Sequence, residues 1–110
     1  MKHPELTQIL EKVKQFLSDL YQERLQSVVL YGSQAREDSR TDSDIDLLVV
    51  LNDAVDPYRE IDKTGQFIAQ LCLEFDVVIS RHFISAETFQ TENNPFLSNV
   101  RKEGRMIANL

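Results

Sequence analysis

The sequence lacks the features of an exported protein, a membrane-spanning protein or a protein that binds nucleic acid through a broad basic surface. Its one cysteine, Cys72, excludes an internal disulfide and fits a reducing compartment, so a cytoplasmic location is expected. No run approaches the roughly 18 apolar residues of a membrane span, and the first ten residues have no apolar signal-peptide core. Basic residues number 12 against 18 acidic ones, with a formal net charge of −6, which excludes a broad basic surface for nucleic acid.

What remains is ordinary globular composition. The 110 residues are 42% hydrophobic and 27% charged, and they contain no internal repeat, linker or low-complexity segment. This length leaves room for one domain, because domains usually hold about 100 to 200 residues. We therefore expect a single domain spanning residues 1–110.

The hydrophobic pattern predicts alternating helices and strands. Apolar residues recur at spacings of three and four from Glu5 to Tyr21, which is typical of an amphipathic helix. The β-branched stretches SVVLYG and IDLLVVLN predict buried strands. Between the second strand and a third one, the pair Asp56-Pro57 is typical of a helix start.

The third strand is predicted over Phe75 to Ser80, after a helix that turns Ile61, Phe67, Ile68, Leu71 and Cys72 inward. A short helix, an Asn-Asn-Pro break and a last helix ending at Gly104 should follow. This order predicts an α/β (α+β) domain with a small mixed or parallel sheet flanked by helices.

Two aspartates stand at the head of the second predicted strand. Side chains alternate across a strand, so Asp44 and Asp46 should point to the same face, with Cβ atoms about 6 to 7 Å apart. Asp76 repeats the pattern at the predicted start of the third strand. Carboxylates gathered in this way repel one another unless a cation neutralises them, and hard oxygen ligands favour Mg²⁺ or Mn²⁺.

A glycine and a serine end the first predicted strand, ten residues before Asp44. Gly32 allows the backbone to approach a ligand closely, and a helix starting at Ser33 would direct backbone N–H groups towards an anion. A nucleoside triphosphate is the anion that a metal bound by the aspartates would complement. The aspartates and the Gly32-Ser33 pair together predict a metal site facing a phosphate-binding turn.

The stretch GSQAREDSRTDSDIDL resembles the signature of the DNA polymerase β-like nucleotidyltransferase superfamily: Gly-Ser, ten residues, then Asp-x-Asp. More narrowly, nearly the whole chain resembles the minimal nucleotidyltransferases (MNT), antitoxins that pair with HEPN-domain ribonuclease toxins. The resemblance implies that Gly32 and Ser33 hold the triphosphate and that Asp44, Asp46 and Asp76 bind the metal.

The resemblance also assigns roles beyond the metal. It implies that Asp76 deprotonates the attacking hydroxyl and that Arg36 contacts a phosphate, although Arg36 could equally pair with Asp38 or Asp42. Glu37 occupies a position where the family usually has glycine, which puts the conformation of this loop in question.

The main hypothesis is therefore an enzyme that transfers AMP from ATP to a tyrosine hydroxyl of a HEPN toxin, with Mg²⁺ or Mn²⁺ as cofactor. One alternative is a non-catalytic antitoxin that masks the toxin by binding it. Another is a nucleotidyltransferase for a small molecule or an RNA end, although such enzymes generally have an additional lobe for the acceptor. Tyr31 directly precedes the Gly-Ser pair and could pack near a base, but it is expected to be a buried strand aromatic. His82 is expected to be an exposed or loop histidine.

Overall fold

The described residues form four α-helices and four β-strands. The computed structural model describes residues 4–35 and 43–109. Its helices are α1 (Leu6–Tyr21), α2 (Pro57–Phe75), α3 (Ala86–Thr91) and α4 (Pro95–Glu103). Its strands are β1 (Leu25–Tyr31), β2 (Ile45–Leu51), β3 (Ile79–Ser85) and β4 (Arg105–Asn109). Short 3₁₀ turns lie at Gln22–Arg24 and Ser33–Ala35. Among the described residues, no helix is both long and apolar enough to cross a membrane.

The strands form one mixed sheet in the order β3-β2-β1-β4. Strand β1 runs antiparallel to β2 and β4, whereas β2 and β3 are parallel. A parallel pair needs a long crossover connection, which α2 provides. In this register Asp46, on the central strand β2, lies between Tyr31 of β1 and Ser80 of β3.

One face of the sheet packs against α1 and α2 and holds the larger part of the core. Ile9 and Val13 of α1 and Ile68 and Leu71 of α2 are buried in it. The sheet contributes Val28, Leu30, Ile45, Leu47, Val49, Leu51, Ile79 and Phe83. Each fully buried aliphatic or aromatic side chain contributes roughly 1.5 to 3 kcal/mol, so this face supplies most of the hydrophobic stabilisation.

The opposite face carries a smaller core beneath α3 and α4. Val29, Leu48 and Val50 pack there against Leu97 and Val100 of α4. Because side chains alternate, Asp46 belongs to this second face together with Leu48 and Val50. The helices cover this face less completely at the start of β2, where Asp46 is half-buried and Asp44 is exposed.

Most of the predicted elements are confirmed. Helix α1 begins at Leu6, one residue after the expected start, and α2 begins at Pro57 after Asp56. The last helix ends at Glu103, with Gly104 at its C-terminal cap. The sheet is small and mixed, as expected for an α/β domain with flanking helices.

Three expectations about the second half of the chain are wrong or incomplete. Phe75 is the last residue of α2, and the third strand runs from Ile79 to Ser85 instead of from Phe75 to Ser80. Asp76 ends α2 in a left-handed conformation (φ 51°, ψ 57°), which separates the helix from the strand. Ile61 is exposed instead of facing inward. Strand β4, which follows Gly104, was not predicted, since its five residues include polar ones and give a weak strand signal.

Candidate functional site

Two carboxylates lie at the start of β2 on the sheet face that α3 and α4 partly cover. Asp44 is exposed and immediately precedes the strand, and Asp46 is half-buried within it. Burial raises the pKa of Asp46 above its ordinary value, and the nearby carboxylate of Asp44 raises it further. His82 acts in the opposite direction and lowers it. The two carboxylates are therefore close enough to repel each other.

Within residues 4–35 and 43–109, neither carboxylate takes part in a hydrogen bond or an ion pair. Partly buried carboxylates are normally stabilised by such contacts. The two groups place carboxylate oxygens on one face of the strand. This donor set fits a hard divalent cation such as Mg²⁺ or Mn²⁺, which would relieve the repulsion between them.

Gly32 holds the end of β1 against Asp46. Its φ angle is +75°, in the left-handed region that favours glycine. A Cβ atom built on Gly32 would overlap Oδ2 of Asp46 and lie 3.3 Å from Cγ of the same side chain. Only glycine therefore lets the backbone after β1 lie directly beside this carboxylate.

The turn that follows Gly32 is hydrogen-bonded to the residue before Asp44. Ser33, Gln34 and Ala35 form a single 3₁₀ turn, in which the Ala35 N–H donates to the carbonyl of Gly32 over 3.1 Å. The Gln34 side chain is fully buried and donates from Nε2 to the carbonyl of Ser43 over 2.9 Å. This bond ties the turn to the residue directly before Asp44. No sequence pattern predicts this role of Gln34, because glutamine side chains are usually exposed.

Of the two remaining predicted site residues, the structure describes only Asp76. Asp76 is exposed at the C-terminal cap of α2, three residues before β3, and Asp46 pairs with Ser80 instead. Among the residues that the structure describes, no group of three or more histidine, cysteine or acidic residues is placed to hold a metal ion. The metal-binding and base roles of Asp76 therefore stay predictions. Arg36, like Glu37, lies outside the described residues.

A cluster of three rings next to Asp46 was not foreseen. The hydroxyl of Tyr31 and Nδ1 of His82 share a hydrogen bond of 2.9 Å, which carries the Tyr31 side chain across β2 to β3. Phe96, near the start of α4, meets the Tyr31 ring edge-on with centroids 5.4 Å apart. Burial and the charge of Asp46 raise the pKa of Tyr31 to about 12, so the hydroxyl keeps its proton at neutral pH.

Comparison with known proteins identifies the family of the chain. Residues 11–109 match the sequence model of the family described as polymerase beta, nucleotidyltransferase. The chain belongs to this nucleotidyltransferase family. Gly32, Ser33, Asp44 and Asp46 lie within the matched region, and their roles in nucleotidyl transfer stay predictions.

Similar proteins extend the comparison. A candidate protein adenylyltransferase of Methanocaldococcus jannaschii is 34% identical to this nucleotidyltransferase over 99 residues, covering 86% of the chain and 93% of the relative. A toxin–antitoxin structure with AMP-PNP superposes with a TM-score of 0.63 at 19% identity, covering 92% of this chain and 73% of the other. A tri-AMPylated Shewanella oneidensis HEPN toxin in complex with MNT antitoxin gives a TM-score of 0.59 at 17% identity, covering 94% and 72%. At these identities the two structures show a shared fold.

Proposed function

We propose that this nucleotidyltransferase transfers AMP from ATP to a tyrosine hydroxyl of a HEPN ribonuclease toxin and thereby acts as its antitoxin. The observation that carries the proposal is the contact between Gly32 and Asp46, which brings the phosphate-binding backbone against the carboxylate pair. The adenylyltransferase name of the M. jannaschii relative supports AMP as the transferred group. The fold shared with MNT antitoxins in HEPN complexes supports the partner.

In this proposal Asp44 and Asp46 hold the metal, and Gly32 and Ser33 receive the triphosphate. A bound Mg²⁺ or Mn²⁺ would neutralise charge on the phosphates and hold the attacking and leaving oxygens in line. The acceptor hydroxyl oxygen attacks the α-phosphorus and forms the new P–O bond. The bond to the bridging oxygen of the β-phosphate breaks, pyrophosphate leaves, and the hydroxyl proton passes to a base, the role predicted for Asp76.

The charge of the chain suits a ribonuclease partner. A formal charge of −6 complements the positive surface that an RNA-cleaving protein needs near its substrate. Charge complementarity of this kind speeds association and selects partners, but it does not require catalysis. A binding role alone is therefore the second candidate function.

The decisive experiment measures the intact mass of the HEPN-domain protein that co-purifies with this chain from its native host. Wild type should yield a partner that carries one or more AMP groups. The double variant Asp44→Asn plus Asp46→Asn should yield an unmodified partner, because amides cannot supply the negative charge that a divalent cation needs. Asp56→Asn is the matched control, since it removes an exposed carboxylate whose side chain makes no capping bond at the start of α2.

Each result has a clear meaning. A partner that is modified equally with the double variant would refute the roles of Asp44 and Asp46. An unmodified partner that binds wild type and the double variant equally would refute AMP transfer and establish masking. Toxin neutralisation at equal protein abundance, measured on the same variants, distinguishes inhibition by modification from inhibition by binding.

A further inference from the structure

We propose that the cavity between the end of β1 and α4 binds the base of the nucleotide, and that Phe96 and Asn99 select adenine there. The inference rests on the proposed function, because it requires a nucleoside triphosphate whose phosphates lie at Gly32 and Ser33. It assigns a binding role to α4, which none of the predicted site residues occupies.

The cavity adjoins the phosphate-binding turn directly. Its volume is about 170 Å³, and its lining residues are Tyr31, Gly32, Phe96, Asn99, Val100 and Glu103. Pockets that enclose a complete small ligand usually measure about 300 to 1,000 Å³. A smaller cavity that shares Gly32 with the turn therefore fits one part of a nucleotide, with the phosphates outside it.

Helix α4 presents its cavity residues in a fixed orientation. Phe96, Asn99, Val100 and Glu103 are spaced by three and four residues, so they lie along one side of the helix. Val100 is buried against the sheet, and the Asn94 side chain accepts a hydrogen bond of 2.9 Å from the Leu97 N–H at the helix start. The packing of Val100 holds α4 against the sheet, and the Asn94 cap fixes where the helix begins.

Phe96 provides an aromatic surface that is already ordered. Its ring lies edge-on to Tyr31 and 6.0 Å from His82, and those two rings are joined by a hydrogen bond. The side chain nevertheless stays 43% exposed, an unusual environment for a phenylalanine that takes part in an aromatic cluster. Purine bases stack on such rings, and a rigid ring loses little entropy on binding.

Asn99 provides the polar group that distinguishes bases. Its exposed side-chain amide offers an NH2 group that donates and a carbonyl oxygen that accepts. Adenine presents the complementary pair, the N6 amino donor and the N7 acceptor, whereas guanine presents two acceptors, O6 and N7. Asn99 therefore pairs with adenine through two hydrogen bonds and with guanine through one on the same edge.

The test is calorimetry on the full chain with Mg²⁺ and three ligands: ATP, GTP and inorganic tripolyphosphate. Phe96→Ala should raise the Kd of ATP about 5- to 150-fold, the effect of losing one base–aromatic stack, and leave tripolyphosphate binding unchanged. Asn99→Leu should raise the Kd of ATP more than the Kd of GTP, because it removes two hydrogen bonds to adenine and one to guanine. Tyr58→Ala is the control, because it removes a ring that is 88% exposed at the start of α2.

The outcomes separate this inference from the proposed function. If wild type binds ATP no more tightly than tripolyphosphate, or if both α4 variants bind ATP like wild type, the base site is refuted while the phosphate site stands. If wild type binds neither ATP nor tripolyphosphate, the proposed function itself fails. Thermal melting of each variant shows whether the fold is retained, and a folded Phe96→Ala protein that loses only ATP affinity supports the inference.

Discussion

Gly32→Ala should damage the site far more than the fold. An L-residue in the left-handed conformation costs roughly 1 to 2 kcal/mol, and the φ of +75° places residue 32 there. For a domain of about this size, each kcal/mol lowers the melting temperature by about 4 to 8 °C. The new methyl group would also overlap Oδ2 of Asp46, and this carboxylate must rotate away to relieve the contact.

Displacing Asp46 should weaken Mg²⁺-dependent ATP binding by roughly 10- to 100-fold, the range seen when a contact that orients a metal ligand is removed. Isothermal calorimetry measures this Kd, and thermal or urea denaturation measures stability. Gly65→Ala is the matched control, because the nearest atom to its new methyl group is Nη2 of Arg81 at 3.9 Å.

In the interior of α2, Gly65→Ala should stabilise the protein by about 0.5 to 1 kcal/mol and leave ATP binding unchanged. A Gly32→Ala protein that binds ATP and modifies its partner at the wild-type level would refute the role assigned to the contact between Gly32 and Asp46.

Two further predictions concern ionised side chains. The pKa of Asp46 in the folded state lies above its ordinary value of 3.8, so the folded state binds the proton more tightly than the unfolded state does. The stability of the metal-free protein should therefore fall as the pH rises from the unfolded pKa through the folded pKa. Denaturation curves measured without Mg²⁺ at a series of pH values test this. Asp46→Asn should be more stable than wild type at neutral pH, and the difference in stability should vanish below the pKa of the unfolded state. A difference that stays constant with pH would contradict the raised pKa of Asp46. Tyr21→Phe should cost about 1 to 3 kcal/mol in urea unfolding, since the Tyr21 hydroxyl donates a 2.8 Å bond to buried Glu60. Tyr58→Phe is the control, and equal stability of the two variants would refute this account.

The parts of the fold that follow a local period could be predicted from sequence. The spacing in α1, the Asp56-Pro57 start of α2 and the β-branched runs of β1 and β2 each specify an element without reference to the rest of the chain. The shared face of Asp44 and Asp46 follows from the same rule, because alternation along β2 is independent of its neighbours.

The third strand could not be placed because its boundary depends on one backbone conformation. Asp76 adopts a left-handed angle at the end of α2, and nothing in the letters FDVVIS distinguishes a strand from the last turn of a helix. The polar residues Arg81 and His82 also weaken the hydrophobic pattern of β3, which is an edge strand. The position of Asp76 relative to Asp46 depends on this boundary.

Contacts between distant segments were equally hidden from sequence. The bond between Tyr31 and His82 spans 51 residues, and the approach of Phe96 to both rings depends on how α4 packs against β1. Such contacts arise from the strand order and the sheet register, which a single sequence does not specify.

The buried Gln34 side chain has a consequence for how this family can diversify. Its bond to the Ser43 carbonyl closes the chain on either side of residues 36–42, so the fold holds both ends of that segment independently of what lies between them. The entropy of closing a loop grows slowly, by about 0.6 kcal/mol for each doubling of length. A change in the length or composition of this segment should therefore cost little folding stability, because the bond between Gln34 and Ser43 still fixes the residue directly before Asp44.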